Sequence, residues 1–261
     1  MHNHSGGISL ADFVSLFLLT TIAFYLAAAL RPSTRPRWPR HRIIFWITGC
    51  LVAALSVQVA IANHDDFASH AIAHVGLGML APLLLMLSAP VTLALRSLSP
   101  IPARRLARML RSRPVRFVTH PVTAAILYIG GLWLLYAGGL YPRIHENGFL
   151  FAVVHVHVFA SGYLFSAAIA GVDPNPHRAR FLTRAIVLCA VMAGHSILSK
   201  HVFGNPPAGV PDAAAEVGSM VMYYGGDVVS VALVVLLCAE WYRQAGHARN
   251  HARLVRRPSP I

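Results

Sequence analysis

Ser69–Arg96 reads SHAIAHVGLGMLAPLLLMLSAPVTLALR, and this stretch decides the fold. Its apolar length is what a bilayer core demands, about 20 residues at ~1.5 Å of rise each. His70 and His74 open it four residues apart, which stacks two imidazoles one turn apart on a single helix face. Pro82 and Pro90 interrupt the run. Each removes an i→i−4 hydrogen bond, which predicts a helix bent beneath the histidine pair. Arg96 closes it.

Working outward, the 261 residues are 56% hydrophobic and only 12% charged, with a mean hydropathy of +0.58. That excludes an ordinary soluble domain and points to a polytopic membrane protein. Seven apolar segments are legible, at residues 10–30, 43–62, 71–95, 121–141, 148–170, 183–203 and 214–240. The fold class they predict is all-α, a bundle of seven transmembrane helices. It divides into an outside N-terminal segment (1–9), a seven-helix membrane domain (10–242) and a basic cytoplasmic tail (243–261) that frays after Tyr242. No Lys or Arg precedes the first apolar run, the reverse of a signal peptide, which predicts a retained first span with an outside N-terminus.

The net charge of +13 is unevenly placed. Arginines crowd residues 31–42, 96–118, 171–184 and 243–257, so 20 of the 22 basic residues fall in alternate connections. Only Arg143 and Lys200 remain for the other side. The positive-inside rule makes the arginine-rich side cytoplasmic in a bacterial plasma membrane. These short loops abut spans and have no aromatic interleaving, which excludes nucleic acid as the partner and leaves membrane lipid. Residues 98–118 predict one basic amphipathic helix on the inner surface. Cys50, Cys189 and Cys238 are scattered through apolar runs, neither a disulfide framework nor a thiolate site. No H-E-x-x-H, nucleophile motif or paired carboxylate is present, so the reading is not an enzyme.

Ten of the fifteen histidines fall on the arginine-poor side or in the adjacent half of a span. Counting rise from each span's outer end places His74 about 6 Å deep, His155 and His157 roughly 10 to 13 Å and His195 about 12 Å. Asp227 lies at ~20 Å. Ionisable groups inside a bilayer are costly and mark function. The candidate metal ligands are therefore His70, His74, His155, His157 and His195. His155 and His157 point about 200° apart on a regular helix, so only one can join the third span in a tight site. His2, His4, His64, His201, Asp227 and Met79 are auxiliary candidates, and Met192, Met220 and Met222 are further thioethers. Neutral imidazole suits copper, zinc, iron or nickel. Two alternatives stay open: a b-type haem protein using His155 or His157 with His195, and a metal or proton transporter using the layer as a relay.

These residues resemble a known family, the seven-span CtaG-type cytochrome c oxidase assembly proteins. The resemblance rests on H-x-x-x-H leading into APLLLMLSAPVTLALR (His70, His74, Ala81–Arg96) and on HPV at His120–Val122. VHVHVFASGYLF (Val154–Phe165), GVDPNP (Gly171–Pro176), Gly194–His195 and Gly226–Asp227 continue it. The resemblance implies a cytochrome c oxidase assembly factor of the respiratory chain. Its cargo would be copper, handed at the outer face to haem–copper oxidase subunits by a metallochaperone. It makes His70 and His74 an entry pair, and His155 or His157 with His195 an inner site.

Overall fold

Apolar residues in runs near 20 satisfy their backbone only by helix formation when water is excluded, and helix is what the sequence forms. A computed structural model describes residues 10–32, 36–63 and 66–255, with side chains from 12 to 246. His2, His4 and His64 lie outside the described residues. The chain runs through α1 (Leu10–Leu30), α2 (Arg40–Ala62), α3 (Phe67–Val75), a π-helical turn (Gly76–Leu80), α4 (Ala81–Leu87) and α5 (Pro90–Ser97). Then come α6 (Pro100–Leu110), α7 (Arg113–Val118), α8 (Pro121–Tyr136), α9 (Tyr141–Glu146), α10 (Gly148–Ala170), α11 (Phe181–Gly204) and α12 (Asp212–Val255). No strand occurs among the described residues.

Among the described residues, six helical segments are long and apolar enough to cross a membrane: α1, α2, the Phe67–Leu87 segment, α10, α11 and α12. Phe13, Phe17, Phe24, Leu55, Ile126 and Val228 stand exposed around the bundle, a belt of large apolar side chains that only lipid would tolerate. The chain is a multi-pass membrane protein. The fourth apolar segment ends earlier than the sequence suggests. Helix α8 has 16 residues, about 24 Å of rise. It stops in a turn at Ala137–Gly139, where Gly139 takes φ +71, a conformation open to glycine. The next short helix, α9, then doubles back.

The third apolar segment is the centre of the bundle, with 67% of its span buried against 6% for α1. It packs on α2, α10 and α12. Its prolines do more than bend it. Ala81 N–H donates to Gly76 O, the wide π-type bond, and Pro82 has no N–H to offer the carbonyl of Gly78. That carbonyl faces Gly162 of α10, where any Cβ would overlap it. Gly162→Val drives the two helices apart at this contact. The expected cost is about 1–3 kcal/mol or more, read as a lower thermal unfolding midpoint in detergent.

At Ala89 the helix breaks outright, with φ +55, and Pro90 opens α5. Two distant side chains hold the break. Tyr25 donates its hydroxyl to Ser88 O at 2.7 Å while accepting from Trp38 Nε1 at 3.0 Å. The Asp173 carboxylate accepts from Val91 N, Thr92 N and Thr92 Oγ1 at 3.1, 2.7 and 2.6 Å. Asp173 belongs to the GVDPNP motif, so that loop serves as the N-terminal cap of a helix more than eighty residues earlier. Asp173→Ala is expected to cost about 1–2 kcal/mol, measured by the same unfolding midpoint, with Asp173→Asn losing less.

At the arginine-rich end, the expected single surface helix is two, α6 and α7, restarted at Ser112–Pro114. Neither buries a residue. Helix α12 continues unbroken through Val255, so the basic tail begins as helix instead of fraying at Tyr242.

Candidate functional site

Asp66 starts α3 by accepting from Ser69 N at 2.9 Å and Ser69 Oγ at 2.6 Å. These bonds favour the ionised form and hold its carboxyl below the usual carboxylate range. The helix thus capped carries His70 and His74, both buried, toward the interior.

His70 sits in an aromatic box. Its ring centre lies 5.0 Å from Tyr141, 6.0 Å from Tyr136, 5.9 Å from His155 and 6.2 Å from His145. His155 Nδ1 bonds Phe151 O at 2.8 Å and His145 Nδ1 bonds Tyr141 O at 2.9 Å. A carbonyl only accepts, so each Nδ1 carries the hydrogen and each Nε2 keeps its lone pair. Two of the three imidazoles at this upper level are therefore set in one tautomer by their own helices.

One turn deeper, His74 and His195 have ring centres 6.1 Å apart with planes 20° from parallel. His195 is admitted by Gly226, where a Cβ would overlap its Cε1. The Nε2 atoms of both rings are buried and have no hydrogen-bond partner among the described residues. Tyr136, its ring 6.2 Å from His74, has a buried hydroxyl that is likewise unpartnered. Cavities of about 10 Å³ adjoin the histidines. One is lined by His70, His74, Leu135 and His155, the other by Met79, Tyr128, Phe165 and His195.

The structure thus brings together His70, His74, His155 and His195, with Met79 bordering the His195 cavity. It does not bring in His157, whose Nε2 donates to Leu127 O at 3.0 Å on the α8 side. The two histidines of VHVHV point apart as the 100° step of a helix dictates, and His155 is the one that faces the third segment. His201 stacks on Trp133 at 5.8 Å and bonds Asn205, away from the cluster. Asp227 is half-buried and close enough to His195 to interact electrostatically. Sequence reasoning missed His145, Tyr136 and Tyr141. The signal was there in Y-x-x-x-H at Tyr141–His145, the same one-turn spacing as His70 and His74. Among the described residues, no three His, Cys, Asp or Glu side chains converge as a metal cage.

Fold and site together define a multi-pass helical membrane protein with a buried imidazole cluster near one end of its bundle. The chain belongs to the family described as cytochrome c oxidase caa3 assembly factor, whose profile matches residues 23–244. An uncharacterized protein of Mycobacterium leprae is 30% identical over 230 residues, covering 79% of this chain and 35% of that protein. Uncharacterized proteins of Mycobacterium bovis and Mycobacterium tuberculosis are 34% identical over 168 residues, 61% of this chain and 25% of theirs. The chain therefore spans about a third or less of the length of these relatives. No solved structure matches it.

Proposed function

We propose that this chain assembles a haem–copper oxidase by holding copper at the histidine end of the bundle and handing it to an oxidase subunit. In this reading it crosses a bacterial plasma membrane seven times, α8 being the short span. The N-terminus and the histidine end face outside, and the arginine-rich end faces the cytoplasm. The role is that of a metallochaperone, not an enzyme, and copper is cargo.

One observation carries the reading: two buried imidazole nitrogens, on His74 and His195, that have no hydrogen-bond partner among the described residues. An orphaned buried polar atom costs free energy unless a ligand pairs with it. The spacing suits a shared ion. Two metal–nitrogen bonds of about 2 Å each, plus the two ring radii, come to roughly 6 Å between ring centres. A pair without a third ligand suits Cu(I), which tolerates low coordination, better than zinc, which closes a tetrahedron. Asp227 supplies a counter-charge beside His195. The upper imidazoles, His70 and His155, lead to the pair as an entry step. A haem held between two imidazoles needs a porphyrin-sized slot, and cavities of about 10 Å³ do not offer one.

The test is Cu(I) competition against a chromogenic chelator with the full chain in detergent, beside an absorption spectrum. Copper retention without a Soret band is expected. Failure to withdraw any Cu(I) from a weak chelator overturns the proposal.

A further inference from the structure

The arginine-rich end holds a second site that owes nothing to the histidine cluster. An open cavity of about 810 Å³ lies between α7, the first turn of α8 and the loop that enters α11. Arg113, Arg116, His120, His177 and Arg178 line it, and no carboxylate does. Of the lining cations, Arg178 already pairs with Glu240, which Arg184 also binds. Arg113 and Arg116 face no acid among the described residues and stand exposed. His177 also lines the cavity; its Nε2 is buried and has no hydrogen-bond partner among the described residues, while its backbone N–H is held by Asn175 Oδ1 at 2.9 Å. A concave surface lined by basic side chains and by no carboxylate attracts an anion.

The surroundings say which anion. Phe117 and Val122 share the cavity and are 69% and 43% exposed. Apolar side chains so placed, at the foot of a membrane helix, fit acyl chains and not water. A second cavity, about 170 Å³, is walled by Leu110, Val115, Leu164 and Ala167, with Asp173 also in its lining, and shares Pro176 with the first. The pairing of a cationic cup with an apolar slot at the depth of a headgroup is the arrangement that selects anionic lipid between helices.

We propose that Arg113, Arg116, His177 and Arg178 bind the phosphodiester headgroup of an anionic phospholipid, with Phe117 and the adjoining apolar cavity taking acyl chain. The bound lipid would fix α7 against the loop that caps α5 through Asp173. This ties the lipid leaflet to the break in the central helix.

The experiment uses the full chain in neutral detergent. It is supplied with phosphatidylglycerol or phosphatidylcholine, and retained lipid is counted by native mass spectrometry. Phosphatidylglycerol is expected to be retained and phosphatidylcholine lost. Arg113→Gln with Arg116→Gln should lower phosphatidylglycerol retention roughly tenfold. Arg104→Gln with Arg108→Gln, on the neighbouring α6, should leave it unchanged. His177→Leu probes the same cup from the other wall and should lower retention severalfold, gel filtration reporting that each variant stays folded. Equal retention of both lipids overturns the proposal, as does equal loss in the α6 and α7 variants. Displacement of phosphatidylglycerol by millimolar inorganic phosphate also overturns it, by making the cup a site for free phosphate.

Discussion

If the deeper pair holds copper as proposed, replacing His74 and His195 together by alanine is expected to lower the affinity of the purified chain for Cu(I) by about a hundredfold or more. The magnitude follows from metal sites in general. Loss of a group that merely orients a ligand costs roughly 10- to 100-fold, so loss of both ligands costs at least the upper end. His157→Ala is the matched control. Its imidazole is on the same helix as His155 but bonds Leu127 O and faces away, so copper affinity should stay at the wild-type level. His70→Ala separates entry from holding. It should slow loading severalfold while leaving the equilibrium affinity of the deeper pair within a few fold. Wild-type affinity in the double variant would remove the deeper pair from any copper reading. Loss of affinity in His157→Ala would show that the imidazoles act through general packing and not through ligation.

The sequence was most informative where one physical constraint dominates. Span boundaries follow from the apolar length of a bilayer, and the run 148–170 is α10 to the residue. Helical rotation alone separated His155 from His157, and coordinates were needed only to say which faces inward. What stayed hidden depends on pairings distant in sequence. Gly138 and Gly139 read as span residues because their hydropathy is neutral, yet the φ of Gly139 ends α8 and returns α9 to the cluster with Tyr141 and His145. Pro82 announced a bend. That it would expose the Gly78 carbonyl to Gly162 needed the position of α10. The GVDPNP motif pointed to the family without a reason for its aspartate. The reason is a helix start at Val91 and Thr92 that no local pattern connects to it.

Glu240 is where the largest loss of stability is expected. Arg184 lies in the first turn of α11 with its side chain 3% exposed. It donates through Nη1 to Glu240 Oε2 and to Ile169 O, each at 2.8 Å or less, and through Nη2 to Glu240 Oε1 at 3.3 Å. Its Nε has no hydrogen-bond partner among the described residues, and Glu240 is the counter-charge that makes this burial tolerable. Glu240→Leu leaves a buried cation without one. The expected cost is about 3–5 kcal/mol, well beyond the loss of the Asp173 cap, and a correspondingly larger fall in the unfolding midpoint. Glu240→Gln keeps an acceptor and should lie between. Arg178 shares the same carboxylate but is 30% exposed, so Arg178→Gln should cost only about 1 kcal/mol or less. The decisive variant combines Arg184→Met with Glu240→Leu. If the penalty of the single change comes from an orphaned charge, the double change restores most of the stability, because an apolar pair of similar volume needs no desolvation. If the double variant is as unstable as Glu240→Leu alone, the pair holds α11 to α12 by shape and not by charge. Copper binding provides an independent check, since Arg184 and His195 are about three turns apart along α11. Below its lowered transition the Glu240→Leu protein should still bind Cu(I) with wild-type affinity.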